Sequence, residues 1–162
     1  MQHSLDRPGK TLDAFDRAIL RIIQRDAKTP QRAIAQAVNL SAAAVQRRIA
    51  AMEAAGVILR NVAIVDPDAV SLPITAIVEV HLRDERAATV DAAKALFRQS
   101  PEVQQCYYVT GGVSFVVVIV SPDMRAYEQL TRRLFAENDL VERFRTLVAL
   151  DRVKADTALV IP

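Results

Sequence analysis

The sequence predicts an α+β protein made of an N-terminal winged helix-turn-helix and a C-terminal ferredoxin-like βαββαβ domain. Two observations predict this fold class. Apolar residues recur at helical spacing early in the 162-residue chain, and strand-like and helical segments alternate in the remainder. A connector rich in turn-forming residues, with two prolines, separates these patterns. We therefore place a tail and the helix-turn-helix at 1–65, a linker at 66–73 and the ferredoxin-like domain at 74–162.

The first part is expected to contain three helices. Apolar residues at helical spacing define the first, namely Leu12, Phe15, Ile19, Ile22 and Ile23. Thr29 is expected to cap a second helix whose first residue is Pro30, where a missing N–H has no consequence. Asn39 is expected to end that helix, because asparagine tolerates the left-handed conformation.

The third helix is expected to begin after Ser41, whose hydroxyl can cap it, and to end at Gly56. The residues of its apolar stripe are Val45, Ile49 and Met52. Two helices joined by a short turn form the helix-turn-helix pattern. The β-branched segment at 57–65 is predicted to be an extended wing beside them.

The second part is predicted to follow the order strand, helix, strand, strand, helix, strand, which is the ferredoxin-like arrangement. The segments are strands at 74–82, 103–110, 114–120 and 144–154 and helices at 87–99 and 121–138. Two glycines between the middle strands favour a hairpin. Ser121 is expected to cap the last helix, with Pro122 as its first residue and Met124 facing inward.

The strand at 115–120, FVVVIV, is apolar on both faces. Two helices can cover one face of the predicted sheet, so the other face needs a second cover. The sheet of another subunit is the simplest cover, and we therefore expect a homodimer.

Composition and single residues exclude several classes of protein. The chain is 51% hydrophobic and 25% charged, which suits a folded, soluble protein. The longest strongly apolar run is too short to cross a bilayer. The single cysteine, Cys106, excludes an internal disulfide framework and is expected to be a buried structural thiol in a reducing, cytoplasmic setting. His3 and His81 form neither a metal pair nor a triad, so no metal or cofactor is expected.

Charge is distributed unevenly along the chain. Residues 1–65 hold 10 basic and 5 acidic residues, whereas residues 66–162 hold 11 and 14. The stretch between Asp26 and Glu53 has no carboxylate, and its basic residues are Lys28, Arg32, Arg47 and Arg48. A basic first part favours an anionic partner.

Taken together, these segments resemble the Lrp/AsnC, or feast/famine, family of transcriptional regulators. The resemblance rests on LDAFDRAIL (12–20), LS (40–41), VQRRI (45–49), GVI (56–58), PEVQQCYYVTG (101–111) and DRVK (151–154). It implies a winged helix-turn-helix joined to a ferredoxin-like effector and oligomerisation domain. It also implies dimers formed through the sheet, often assembled into tetramers or octamers, and a small effector, usually an amino acid, bound between dimers near the hairpin loop.

Double-stranded DNA is the partner that the helix-turn-helix implies. Such motifs insert the helix that begins here after Ser41 into the major groove. Gln46 and Arg47 are the candidates for base contacts, because glutamine pairs with adenine and arginine with guanine. The small residues Ala42 and Ala43 let the start of the helix approach the groove, where free N–H groups can bind phosphate.

Two other arginines belong to this candidate DNA surface. Arg32, near the start of the second helix, is a candidate for a phosphate contact, and Lys28 is a weaker one. Arg48 matches an arginine that the family keeps in this helix, so it either contacts DNA or braces the fold.

The hairpin loop TGGVSF, 110–115, is the candidate effector site that the resemblance implies. The family usually has acidic residues at the positions of Gly112 and Ser114. Without them, nothing in the loop balances the ammonium of a free amino acid. We therefore expect ordinary amino acids to bind weakly or not at all. The effector would be absent, or an anion or neutral molecule held by the backbone of Gly111 and Gly112.

The candidate effector contacts are Tyr108, Thr110, Gly111, Gly112, Ser114 and Thr146. Glu137 or Asp139 of a neighbouring subunit is an alternative source of negative charge. Two other functions stay open at this point. A ferredoxin-like domain can be an enzyme, although this sequence has no phosphate loop or catalytic pair. The protein can also be a ligand-sensing or assembly module that does not read DNA.

Overall fold

The structure, a computed structural model, describes residues 11–162, so His3 and most of the predicted N-terminal tail lie outside the described residues. The chain divides into two units. One contains the described residues up to 63 together with 155–162, and the other is 64–154. The last eight residues therefore group with the helix-turn-helix, whereas the sequence led us to place them in the second domain.

The first unit contains the three predicted helices, α1 (Ala14–Ile23), α2 (Gln31–Val38) and α3 (Ala42–Ala54). Their core is formed by the buried side chains of Ile19, Ile34, Ala35, Val38, Val45 and Met52. Asn39 adopts the predicted left-handed conformation, with φ of 54°, and makes the turn between α2 and α3. The helix-turn-helix is therefore confirmed.

Two predictions about the limits of these elements are wrong. Pro30, not Thr29, precedes α2 as its N-cap residue, and the Thr29 hydroxyl donates instead to the Asp26 carbonyl oxygen at 2.7 Å. The wing at 57–65 forms no strand. Val57 and Ile58 pack against the helical core, but the later apolar side chains point to solvent, with Leu59 65% and Ile64 75% exposed. A strand requires a partner for its N–H and C=O groups, and β-branched composition alone does not supply one.

The second unit is a four-stranded antiparallel sheet covered on one face by helices. The strands are β1 (Ile74–Leu82), β2 (Val103–Tyr108), β3 (Phe115–Ser121) and β4 (Val141–Val148), in the order β2-β3-β1-β4. The helices are α4 (Ala87–Gln99) and α5 (Met124–Thr131), the latter continuing as a π-helical turn at Arg132–Ala136. This order confirms the ferredoxin-like prediction.

The core between the sheet and the helices contains an aromatic cluster. Phe97 of α4 lies against Phe115 of β3, with ring centroids 5.3 Å apart, and against Phe135 at 5.9 Å. Phe135 in turn packs on Phe144 of β4. These contacts join both helices to the central strand β3 and the edge strand β4.

Ser121 and Met124 differ from the predictions. Ser121 is the last residue of β3, and Asp123 is the N-cap of α5, accepting from the Ala126 N–H at 2.7 Å. Met124, the first residue of α5, is half exposed and does not face inward. The last strand also ends earlier than predicted. Beyond it, the Arg152 side chain donates to Thr75 Oγ1 at 2.6 Å.

No described residue covers the second face of the sheet. Val117 is fully buried towards the helices, whereas the next residue, Val118, points to the other face and is half-buried. The apolar residues of this uncovered face are Ile77, Tyr107, Val116, Val118, Val120 and Leu147. The two-faced character of β3 is thus present, and within the described residues only one of its two faces is covered.

Cys106 is exposed, so the prediction of a buried thiol is wrong for the single chain. The reason is its position in β2, which is an edge strand. Neighbouring groups still remove water from the thiol, and this burial raises the pKa of Cys106 to about 11, although Arg98 lowers it in part. Little thiolate exists at neutral pH, which fits a structural rather than a reactive cysteine.

Candidate nucleic-acid interface and hairpin site

Helix α3 has a broad exposed face that includes Gln46 and Arg47. The Ser41 hydroxyl accepts from the Ala44 N–H at 3.1 Å and fixes the start of the helix, as predicted. Gln46 and Arg47 are exposed, and the residues one turn before and after them on the same face are Ala43 and Ala50. Two long polar side chains therefore project between small neighbours, an arrangement that lets the helix approach a flat or grooved partner closely.

Arg48 points away from that face and holds the helices together. Its Nη1 lies 2.8 Å from Asp13 Oδ2 and 2.8 Å from Asp16 Oδ1, and its guanidinium lies 5.4 Å from the Phe15 ring centroid. The hydrogen bonds to Asp16 and Asp13 raise the pKa of Arg48 above its usual value. Of the two roles left open for Arg48, these contacts favour the brace.

The acidic partners of Arg48 were not identified as functional from the sequence. Asp13 caps α1 by accepting from the Asp16 N–H at 2.8 Å, and this bond is the main reason that the pKa of Asp13 is lowered. Asp16 is buried within α1. The sequence signal was the Asp-x-x-Asp spacing at the start of an apolar helix, combined with an arginine on the apolar side of α3.

Arg32 lies in the first turn of α2 and is exposed. Lys28 lies in the preceding loop, where its N–H donates to Asp26 Oδ1. The basic residues at the start of α2 and those on α3 thus belong to one small three-helix unit, and no carboxylate separates them in sequence.

The hairpin loop between β2 and β3 has the backbone that its glycines predict. Gly111 and Gly112 have φ of 105° and 89°, in the region that favours glycine. A Cβ built on either residue meets no atom within 4 Å, so the loop is open on that side. Thr110 is exposed beside them.

Glu85 supplies the carboxylate that the loop sequence lacks. It follows β1 in sequence, and its Oε1 accepts from Ser114 Oγ at 2.5 Å and its Oε2 from Tyr108 Oη at 2.9 Å. The Ser114 hydroxyl also accepts from the Leu82 N–H at 3.0 Å. The hydrogen bond to Glu85 is the main reason that the pKa of Tyr108 is raised. The loop itself has no carboxylate, as its sequence shows, and the negative charge beside it comes from Glu85, a residue outside the loop that the sequence analysis did not name.

Thr146 lies apart from the hairpin loop in this chain. It pairs with Val78 in the middle of the sheet, and its Oγ1 shares a hydrogen bond of 2.6 Å with Tyr127 Oη. Asp139, the alternative source of charge, faces Arg83 at 3.6 Å. Tyr108 and Ser114 are thus brought together with Glu85 next to the glycine turn, and Thr146 is not.

The described part of the chain contains no cluster of three or more histidine, cysteine or acidic side chains suited to a metal ion. Within the same residues, every helix is too short or too polar to cross a membrane.

Two family models match the chain, one for each unit. Residues 12–58 match a winged helix-turn-helix DNA-binding model, and residues 75–159 match the Lrp/AsnC ligand binding domain. A relative from Sinorhizobium fredii, an uncharacterized HTH-type transcriptional regulator, is 43% identical over 160 residues, which cover 99% of this chain and 95% of the relative.

Solved structures agree with these matches. An AsnC family transcriptional regulator from Agrobacterium tumefaciens has a TM-score of 0.85 and 31% identity, covering 91% of this chain and 96% of its own. A feast or famine regulatory protein from M. tuberculosis, complexed with L-methionine, has a TM-score of 0.84 and 30% identity, covering 94% and 100%.

Proposed function

Because this chain belongs to the Lrp/AsnC family of DNA-binding transcriptional regulators, we propose that it reads duplex DNA through Gln46 and Arg47 of α3. These side chains reach base edges in the major groove, where arginine recognises guanine and glutamine adenine. Ser41, Ala42 and Ala43 form the end of the helix nearest the DNA backbone, and Arg32 contacts a phosphate.

The observation that carries this proposal is that two adjacent arginines have different surroundings. Arg48 is held by Asp13 and Asp16, whereas Arg47, about 100° further round the helix, is exposed with alanines around it. A fixed Arg48 sets the orientation of α3, so Arg47 can approach a base in a defined geometry. We accordingly assign Arg48 to positioning and Arg47 to reading.

A binding-site selection followed by titration of Arg47→Ala tests this assignment. Loss of a guanine contact should weaken specific binding by about 1–3 kcal/mol and relax the sequence preference at one position. Arg125→Ala, which removes an exposed arginine of α5 in the other unit, is the matched control and should leave binding unchanged. Equal affinity and preference in Arg47→Ala and wild type would favour an assembly module that does not read DNA.

Arg32→Ala separates phosphate contacts from base contacts. A lost phosphate contact weakens binding to all sequences alike and reduces the salt dependence of the affinity by roughly one unit in slope. A changed sequence preference with an unchanged salt slope would instead place Arg32 at a base.

A homodimer formed through the uncovered face of the sheet is the assembly that we propose. Exposed Ile77, Tyr107 and Leu147 surround the half-buried valines of β3, and the Glu79–Arg145 ion pair, at 2.8 Å, borders them. An apolar centre with a charged border is the usual composition of a protein interface. A dimer would read paired half-sites spaced by about 10 bp or a multiple of it, and further assembly to tetramers or octamers is expected by analogy with the family.

The effector that the hairpin site supports is a small molecule with an ammonium group, and an amino acid is the simplest one. Ion pairs among the described residues do not include Glu85, whose carboxylate is oriented by two neutral hydroxyl donors. An ammonium is the group that such a carboxylate binds best. The backbone N–H groups of Gly111 and Gly112 are suited to the ligand carboxylate.

The M. tuberculosis relative in complex with L-methionine supports this class of effector. Isothermal titration of the standard amino acids, with L-methionine first, tests it directly. Duplex DNA as the target and a single unpaired cysteine also support a cytoplasmic location.

A further inference from the structure

The last residues of the chain are bound by helix α1. Residues 155–162 belong to the same unit as the helix-turn-helix. The side chains of Arg21, in α1, and Gln24, at its C-terminal cap, make four hydrogen bonds to the backbone of this segment. Neither residue has a role in the DNA surface described above.

Gln24 binds both backbone groups of one residue. Its Nε2 donates to the Leu159 carbonyl oxygen at 2.9 Å, and its Oε1 accepts from the Leu159 N–H at 3.0 Å. The side-chain amide therefore takes the place that a neighbouring strand would have. Arg21 extends the contact, with Nε donating to the Ile161 carbonyl oxygen at 3.2 Å and Nη2 to a Pro162 oxygen at 2.9 Å.

Backbone recognition, rather than apolar burial, holds this segment. Leu159 is 74% and Val160 98% exposed, so neither contributes a buried side chain. Ile161 is half-buried. The two family models match 12–58 and 75–159, so Ile161 and Pro162 lie outside both matched regions. The Gln24–Leu159 hydrogen bonds thus join residues inside the matched regions, whereas the Arg21 bonds reach two residues beyond them.

We infer that the outer face of α1 around Arg21 and Gln24 is a docking surface for an extended peptide, and that the chain's own residues 159–162 occupy it. If residues 159–162 were displaced, the side-chain N–H groups of Arg21 and Gln24 would donate to water instead.

A pair of substitutions at Leu159 tests the docking in the full chain. Leu159→Pro removes the N–H that donates to Gln24, whereas Leu159→Ala keeps it and trims a side chain that is already exposed. The heteronuclear 15N NOE of the Ile161 amide should match that of the folded helices in wild type and in Leu159→Ala. In Leu159→Pro it should fall to the value of a mobile terminus.

Gln24→Ala provides an independent measurement from the other side of the contact. The Leu159 amide should exchange with solvent about tenfold faster in this variant, because the bond that protects it is gone. Gln36→Ala, at an exposed glutamine of α2, is the control and should change nothing.

Three outcomes would overturn the inference. They are a mobile Ile161 in wild type, equal NOE values in Leu159→Pro and Leu159→Ala, and a docking signal that appears only at concentrations where chains associate. The last outcome would mean that the segment docks on another copy and not on its own α1.

Discussion

The DNA-reading surface and the hairpin site differ in how their charged groups are placed. On α3, the two reading residues lie within eight positions of the Ser41 cap, so local helix geometry fixes their spacing. At the hairpin, Glu85, Tyr108 and Ser114 come from three separate segments. They meet because Val80 of β1 pairs with Phe115 of β3. The first site depends on one helix and its brace, and the second depends on the register of a whole sheet.

This difference means that the two sites should respond differently to damage. The cores of the two units are separate clusters of buried residues. A defect in the sheet should therefore destroy the hairpin site and leave the helix-turn-helix folded, whereas a defect in the α1–α3 brace should affect DNA binding alone.

Val117→Glu should have the largest effect. Val117 is fully buried between β3 and the helices, and a lone buried carboxylate typically costs several kcal/mol. We expect residues 64–154 to unfold or become strongly destabilised while the amide spectrum of the three-helix unit persists. Two-dimensional NMR of the full chain measures both at once. Simultaneous loss of both sets of signals would show that the units do not fold separately.

Val118→Glu should have the next largest effect, and it changes the other face of the same strand. Val118 is half-buried and pairs with Ile77 on the uncovered face. A charge there should keep the fold and weaken self-association by at least about a hundredfold, since a charge buried in an interface without a partner costs roughly 3–5 kcal/mol. Light scattering should give a smaller mass than for wild type. A wild-type chain that is already monomeric at micromolar concentration would contradict the proposed dimer.

Arg48→Ala should have an intermediate effect that is confined to the helix-turn-helix. Removing the hydrogen bonds to Asp13 and Asp16 should destabilise this unit by about 1–3 kcal/mol, as is usual for hydrogen bonds to charged groups, with partial exposure favouring the lower end. Arg47→Ala is the matched comparison, because it should reduce DNA affinity without lowering the thermal midpoint. Weaker binding in Arg48→Ala with an unchanged midpoint would mean that Arg48 contacts DNA itself.

The same contrast explains how far the sequence could predict each site. Gln46, Arg47 and the Ser41 cap could be predicted because helical periodicity relates neighbours in sequence to neighbours in space. The order of strands and helices was also predictable, since each segment carries its own periodicity. Glu85 could not be found in this way, because no short-range pattern relates it to Ser114.

The predictions of a strand at 57–65 and of a buried Cys106 were wrong for a related physical reason. The composition of 57–65 favours a strand, but pairing depends on a second strand that composition does not supply. The apolar neighbours of Cys106 suggested burial, yet its exposure is set by the position of β2 at the edge of the sheet. Both errors concern the neighbouring segments in the fold, which the composition of a segment does not specify.

Glu85→Gln should have the smallest effect, and it decides what the hairpin site recognises. The substitution keeps the size of the side chain and an oxygen that accepts from Tyr108 or Ser114, so the fold and DNA binding should be unchanged. It removes the negative charge, and an amino acid should then bind about tenfold more weakly, because an exposed charge pair contributes on the order of 1 kcal/mol. Titration of both forms with L-methionine and with its decarboxylated and deaminated analogues measures this. If the deaminated acid binds both forms equally well and the amino acid binds neither, Glu85 does not hold an ammonium, and the glycine backbone selects an anion instead.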